Sequence, residues 1–515
     1  MAEITQLQGG GLYELTDSAR AQLADSKYYN EDLAPTTFAE RTWNTYHISM
    51  LWVGMAICIP SFMMASGAVG YGLPVWAAIL NVILGNAIIL VPIQLNSHAG
   101  TKYGIPFPAF SRLTFGMRGA QIPTISRAIT ACGWNMVQSL TGGAALLFMV
   151  KALVPSFNDA SVPAQVVTFL IFLVICGYVT ARGNKAIRVF ESFSSPVLVV
   201  LSVLLLIWAT ILASKAGFSF GDVFTSNISA GGLEGSPQYA YWFLFALNGN
   251  IGFWATMALN IPDFSRYAKS QKVQFRGQMY GMLPGMAFCA IVGAFYAQAT
   301  FLSLGTAFFS PVDALGVLND GSALMRVVVF IVGIGVVFAT MTTNIAANIV
   351  APANGFSNLA PSKIGYKLGT LIACIVAIVY YLPYMASENF AGFMFTFLNV
   401  YGGFLAPLAS IFIIDYYFVK KRNVDVQALY QKNSRYWYTG GFNLSAVIAW
   451  VVGAILPTII SFAPSLQAGG LKWVNANAYL FAFFVALIVY AIIRPRDHVS
   501  TLSDEEEAAI TQVTA

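Results

Sequence analysis

Charged residues are scarce in this sequence. They make up 10% of its 515 residues, whereas soluble globular domains carry about a quarter. A water-soluble surface of this size cannot be built from so few charges, so a soluble protein is excluded. Hydrophobic residues make up 57% of the chain and occur in nearly uncharged blocks of roughly 20 residues, long enough to cross a bilayer as helices. Because lipid offers the backbone no hydrogen-bonding partner, an all-α membrane protein is predicted.

Residues that carry metal or hydrolytic chemistry are also few. The three histidines lie apart from one another and from any pair of carboxylates, so the sequence lacks the nucleophile–base pair or metal ligands of a membrane enzyme. We expect no enzyme activity and no cofactor. The cysteines lie in apolar blocks without CxxC spacing, which is typical of free thiols; they are Cys58, Cys132, Cys176, Cys289 and Cys374. The net charge of +5 is spread over short loops, which argues against a nucleic-acid partner.

Hydropathy windows of about 19 residues predict twelve transmembrane helices. The predicted spans are 46–70, 74–97, 122–151, 162–182, 192–214, 237–259, 277–302, 324–351, 365–385, 389–418, 440–463 and 474–493. They form a single transmembrane domain, 46–494, between an N-terminal segment, 1–45, and an acidic tail, 495–515. The opening residues lack a positive region followed by an apolar core, so we expect no cleavable signal peptide.

The basic residues predict the orientation of these spans. With a cytoplasmic N-terminus, seventeen lysines and arginines fall in the cytoplasmic loops, and only Lys151, Lys215 and Lys472 fall in the opposite loops. Such a bias is typical of membrane proteins with positive loops inside. We therefore expect a multi-pass protein of the cell inner (plasma) membrane with both termini cytoplasmic.

Helix-breaking residues occur in two corresponding spans. The first span contains Pro60 near its middle, and the sixth contains the sequence NGNIG at 248–252. Transporters place broken helices at matching positions of two inverted repeats, with the binding site between them. The offset of five spans predicts repeats at 46–214 and 237–418, with two peripheral helices at 440–493. Glycine and proline are also frequent in ordinary membrane helices, which remains the alternative.

Aromatic and amide side chains near these breaks predict a site for a planar ring. Trp134 and Gln138 are four residues apart and share one helical face, and Trp254 follows the second break. Two indoles offer stacking worth about 1 kcal/mol beyond area burial, and the amide offers a hydrogen bond. The alternative is that these tryptophans serve packing or anchor the chain at the interface.

A polar cluster in the eighth span predicts a cation site. Hydroxyl oxygens with carbonyls freed by a broken helix suit a small alkali cation; the cluster comprises Thr342, Thr343, Asn344 and Asn348. These residues can alternatively hold neighbouring helices together. No Asp or Glu lies in the central part of any predicted span, which favours sodium over proton coupling and a neutral substrate.

The sequence also resembles a known family, through motifs spread from Glu31 to about Arg422. The most specific are EDLAP (31–35), RTW (41–43), GTKYGIPFPAF and FGMRGA (100–120), LNIPDFSRYAKSQ (259–271), TTNIAANIVAPA (342–353) and DYYFVKKR (415–422). In these motifs the chain resembles the nucleobase–cation symporter family (family one) of hydantoin, allantoin, uracil and cytosine carriers. It looks closest to the bacterial allantoin-permease-like branch. The resemblance implies a LeuT-type fold of twelve helices.

The resemblance also implies roles for individual residues. The expected substrate-binding residues are Trp134, Gln138, Trp254 and Asn348, with Asn344 one turn earlier and Phe253 where the hydantoin carrier has glycine. Cys58 stands where relatives offer an amide, and a thiol is a poor hydrogen-bonding group. The expected sodium ligands are carbonyls at Gly54, Ile57 and Ala339 and hydroxyls at Thr342 and Thr343.

Together these features predict a secondary active transporter that imports a neutral planar heterocycle with a cation, most simply sodium. A proton-coupled carrier of a vitamin or amino acid is the main alternative. A channel would need a continuous polar lining, whereas the polar residues here cluster near the middle of the spans. The expected partners are the small-molecule substrate and the lipid bilayer, with no obligate protein partner.

Overall fold

The computed structural model describes residues 5–494 except 9–10, 25, 30, 158–160, 183, 227–236, 320, 361–362, 386–389 and 468. The predicted acidic tail therefore lies outside the described residues. One short antiparallel hairpin pairs Thr5–Gln8 with Leu12–Leu15. The rest of the described regular structure is helical.

The main helices follow the predicted spans closely. In chain order they are α1 (Thr45–Ala56), α2 (Ile59–Gly70), α3 (Val75–Tyr103), α4 (Phe107–Phe115), α5 (Gln121–Leu153), α6 (Val162–Ala181), α7 (Asn184–Lys215), α8 (Pro237–Phe253), α9 (Ala255–Asn260), α10 (Gln271–Leu304), α11 (Ala323–Thr343), α12 (Ala351–Leu359), α13 (Tyr366–Met385), α14 (Phe390–Ile414), α15 (Leu444–Phe462) and α16 (Ala478–Ile493). Shorter α-helices span Asp17–Leu23, Phe220–Thr225, Pro262–Ser265, Asp313–Leu318 and Lys472–Ala476, and π-helical turns span Asn344–Val350 and Asp415–Val419.

Each of the twelve predicted spans coincides with a helix or a helix pair. Among the described residues, seven helical segments are long and apolar enough to cross a membrane, and two sharply bent pairs raise the number to nine. The helices at the remaining three positions are α7, α8 and α13. In α7 and α13 only a shorter stretch of the helix is apolar. The exact count of twelve and the repeat boundaries therefore stay predictions.

The outer faces of these helices are apolar. Val174, Ile331 and Ile492 are each more than 60% exposed, and they lie on three different helices. Soluble monomers rarely expose contiguous apolar patches larger than a few hundred Å². A surface of this kind suits contact with lipid acyl chains.

The first span is interrupted where the sequence predicts. Helix α1 ends at Ala56, and Cys58 takes extended backbone angles (φ −141°, ψ 161°) before α2 begins. Pro60 lies in the first turn of α2, where its missing N–H costs no helical hydrogen bond. The axes of α1 and α2 differ by 56°.

The interruption of the sixth span lies later than predicted. Helix α8 continues through 248–252 to Phe253, and the break falls at Trp254 (φ −104°, ψ 12°). Asn250 lies within this helix, and its Nδ2 donates to Ala246 O, at 3.1 Å, and to Asn81 Oδ1, at 2.9 Å. The Gly252 carbonyl instead accepts the Tyr401 hydroxyl at 2.9 Å, which draws it toward α14 just before the break.

Candidate functional site

Trp134 is held in place by a tyrosine that the sequence analysis did not select. The indole Nε1–H donates to the Tyr401 hydroxyl at 3.0 Å, and that hydroxyl donates to Gly252 O at 2.9 Å. Both aromatic residues are 4% exposed. One hydroxyl thus joins α5, α14 and the end of α8, and it fixes the plane of the indole.

Phe253 bridges the two tryptophans that were expected to sandwich a ring. Its ring centroid lies 5.0 Å from that of Trp134 and 5.0 Å from that of Trp254, with interplanar angles of 71° and 79°. Trp254 also meets Trp52 edge-on at 5.1 Å. The structure therefore replaces the expected open slot between two indoles with an aromatic cluster. A planar ligand would stack on Trp134 beside Phe253, or Phe253 would have to rotate.

Several buried polar atoms near this cluster have no protein partner. They include Gln138 Oε1, Trp254 Nε1 and Asn135 Nδ2, and all three residues are at least 97% buried. An unsatisfied buried polar atom costs about 1–3 kcal/mol. A ligand that offers both N–H and C=O groups would remove this cost.

Cys58 lies where the expected substrate and cation sites meet. Its Sγ is 3.2 Å from Ser61 Oγ. The thiol is 1% exposed. Cys58, which departs from the family pattern, directly follows Ile57, one of the predicted cation ligands.

The two asparagines of the eighth span have different surroundings. Asn344 Nδ2 donates to Asn135 Oδ1 at 2.7 Å, and Asn344 Oδ1 accepts from Asn348 Nδ2 at 3.2 Å. The amide of Asn344 is thus committed to protein contacts, whereas no hydrogen bond among the described residues uses Asn348 Oδ1. Both residues lie in the π-helical turn Asn344–Val350, a distortion frequent at functional sites. We infer that Asn344 orients Asn348, which keeps an acceptor for a ligand.

The predicted cation ligands come together between α1 and α11. Thr343 Oγ1 donates to Gly54 O at 3.1 Å, across the two helices. Thr342 Oγ1 donates to Ala339 O at 2.7 Å within α11. Ile57 packs in one apolar cluster with Ala339, and all five residues are buried. This set supplies only oxygen atoms, which are the ligands that hard cations prefer, so the residues fit a sodium ion.

Sequence reasoning missed Tyr401 and Asn135. Tyr401 is four residues after Phe397, and both rings contact Trp134, so their spacing marks an aromatic face of α14. Asn135 directly follows Trp134 and is polar in an apolar span. A polar residue in such a span indicates a functional role. In the described ranges of the chain, no three His, Cys, Asp or Glu side chains are grouped closely enough to hold a metal ion.

Comparisons with known proteins agree with this architecture. Residues 35–487 match the family described as "Permease for cytosine/purines, uracil, thiamine, allantoin". The chain is 35% identical to the purine-uracil permease NCS1 of Arabidopsis thaliana, over 92% of this chain and 78% of the relative. It is 30% identical to the allantoin permease of Bacillus subtilis, over 91% of this chain and 94% of the relative.

A solved structure shares the fold. The nucleobase-cation-symport-1 family transporter Mhp1, in a closed conformation with bromovinylhydantoin bound, superposes with a TM-score of 0.76 at 25% identity. The match covers 93% of this chain and 98% of Mhp1. The expected all-α, LeuT-type transporter fold is thereby confirmed, and so is the family resemblance. The chain is an integral membrane protein that belongs to the nucleobase–cation symporter family of permeases.

Proposed function

We propose that this chain is a secondary active transporter that imports a neutral planar heterocycle together with a sodium ion. The substrate class is a nucleobase, hydantoin, allantoin or related ureide. The relatives named above include purine, uracil and allantoin permeases, and Mhp1 binds a hydantoin. All of these ligands are compact molecules whose edges carry hydrogen-bond donors and acceptors.

The observation that carries the proposal is a pair of buried polar atoms without partners, one on Gln138, a turn after Trp134 in α5, and one on Trp254, which packs against Phe253. Gln138 Oε1 is a hydrogen-bond acceptor and Trp254 Nε1–H is a donor, and both are buried without a partner. A heterocyclic amide stacked on Trp134 offers complementary donors and acceptors at its edge. The expected substrate-binding side chains carry no charge; they are Trp134, Gln138, Trp254 and Asn348. They offer no counter-charge to an ionic substrate, so a neutral ligand suits them.

The cation and the heterocycle are coupled through the first break. A sodium ion held by Gly54 O and the Thr343 hydroxyl joins the end of α1 to α11. Cys58, a proposed substrate contact, directly follows Ile57, one of the assigned cation ligands, so the position of the break affects both sites. A ligand shifts a conformational equilibrium only through different affinities for its states, and this shared break supplies that difference.

The direction of transport follows from the sodium gradient across the membrane. We propose that the protein lies in the plasma membrane with both termini cytoplasmic, in agreement with the distribution of basic loops. Inward movement of sodium down its gradient then supplies the free energy for uptake. The proposal needs no further protein partner.

A ligand panel on purified protein tests the substrate class. Uracil, cytosine, allantoin and hydantoin are added in sodium or in potassium, and the thermal unfolding midpoint is measured. A ligand at 100 times its dissociation constant stabilises by about 2.7 kcal/mol, so we expect at least one of them to raise the midpoint by several degrees in sodium and by less in potassium. No shift with any of the four ligands, or a shift equal in both salts, would contradict the proposal.

A further inference from the structure

An apolar cavity of about 280 Å³ lies between α2, α7, α11 and the short helix Asp313–Leu318. Its walls include Phe62, Leu205, Trp208, Leu315 and Val332. No charged side chain lines it among the residues that the structure describes. None of the heterocycle-binding or cation-binding roles discussed above requires this space.

One side of the cavity meets the surface that faces lipid. Leu204 lines the cavity and is 51% exposed. Ile207 on α7 and Val327 and Ile331 on α11 each directly precede a residue of the cavity wall, and they are 49–61% exposed and apolar. The cavity is therefore continuous with the part of the protein surface that acyl chains cover.

The other side of the cavity reaches the first break. Ile57, Cys58 and Ala339 form its inner end, and each is at least 96% buried. Ile57 and Ala339 are also the residues whose carbonyls we assign to the cation. An occupant of the cavity would thus touch the outer side of the proposed cation site without entering it.

We propose that this cavity binds one acyl chain of a bilayer lipid. Water is excluded because apolar cavities stay dry, and an empty cavity would forfeit the dispersion contacts of its lining. Lipid chains surround the mouth and match the apolar lining, so they fill the space without any polar group being buried. The bound chain would fill the space between α2 and α11 next to the cation and so steady its site, and this last consequence rests on the proposed function.

Fluorescence quenching of Trp208 by brominated lipid tests the site directly. The protein is reconstituted in phosphatidylcholine vesicles with or without bromine on the acyl chains, and the Trp208 signal is taken as the difference between wild type and Trp208→Phe. We expect brominated chains to quench Trp208. Val332→Phe, which fills the cavity, should reduce that quenching at least twofold. Ala314→Leu acts on the wall formed by the short helix Asp313–Leu318 and should have the same effect.

Val327→Phe is the matched control, since it adds the same ring to the lipid-facing side of the same helix. It should leave the Trp208 signal unchanged. Absence of Trp208 quenching, or equal quenching in Val332→Phe and Val327→Phe, would overturn the acyl-chain site. The same variants are then titrated with sodium in a heterocycle-binding assay, where Val332→Phe should shift the half-saturating sodium concentration at least threefold. Quenching that behaves as expected without any sodium dependence of binding would keep the acyl-chain site and refute sodium coupling.

Discussion

Replacing Trp134 with alanine should weaken heterocycle binding about 100-fold and abolish measurable uptake. Stacking of a base on an aromatic side chain is worth about 1–3 kcal/mol by alanine substitution, and 2.8 kcal/mol corresponds to roughly 100-fold in a dissociation constant. The indole lies one helical turn before Gln138, and the Tyr401 hydroxyl on α14 holds its orientation. Equilibrium binding of labelled uracil, allantoin and hydantoin to the purified variant measures the effect.

Two further variants separate stacking from general damage. Tyr401→Phe keeps the ring and removes the hydroxyl that joins Trp134 to Gly252, so binding should weaken about tenfold, since each lost hydrogen bond is worth about 1 kcal/mol. Trp76→Ala removes an indole that is 51% exposed near the start of α3 and should bind normally. Unchanged binding in Trp134→Ala would refute the stacking role, and an equal loss in Trp76→Ala would show that the effect is not local.

Thr343→Ala should raise the sodium concentration needed for half-maximal ligand binding about tenfold. The substitution removes one hard oxygen and the hydrogen bond to Gly54 O at 3.1 Å, together worth about 1–1.5 kcal/mol. Binding at saturating sodium should fall much less, because the side chains near the indole are untouched. Sodium titrations at a fixed low ligand concentration measure the shift.

Thr340→Ala is the matched control for this prediction. Thr340 is also buried in α11, but its hydroxyl donates to Val336 O in its own helix at 2.9 Å and does not reach α1. It should leave the sodium dependence unchanged, and Thr343→Ser should restore most of the wild-type behaviour. If Thr343→Ala and Thr340→Ala had the same sodium dependence, a proton-coupled or uncoupled mechanism would be favoured.

The fold could be predicted because its determinants are local in the sequence. Long uncharged stretches specify helices in lipid, and motifs such as LNIPDFSR and TTNIAANIVAPA indicate the family without any tertiary contact. The first break could be predicted for the same reason, since Pro60 acts on its own helix. The meeting of Thr343 with Gly54 followed from the family resemblance, not from spacing.

The second break and the contacts of the two indoles could not be predicted, because they depend on contacts between distant segments. Glycines at 248–252 suggested a break there, but that turn is helical, with Asn250 bonded to Asn81 of α3, and the interruption falls at Trp254. The position of Phe253 against both indoles depends on that break, and the Tyr401 hydroxyl reaches Trp134 across 267 residues of sequence. No periodicity in a single helix contains this information.

Uptake into proteoliposomes tests sodium-coupled import most directly. Purified protein is reconstituted, and a labelled heterocycle selected from the binding panel is followed under an inward sodium gradient, an inward proton gradient or no gradient. The structure and the proposed coupling predict accumulation above the outside concentration only with the sodium gradient. Accumulation driven by protons alone, or equilibration that never exceeds the outside concentration under any gradient, would contradict them.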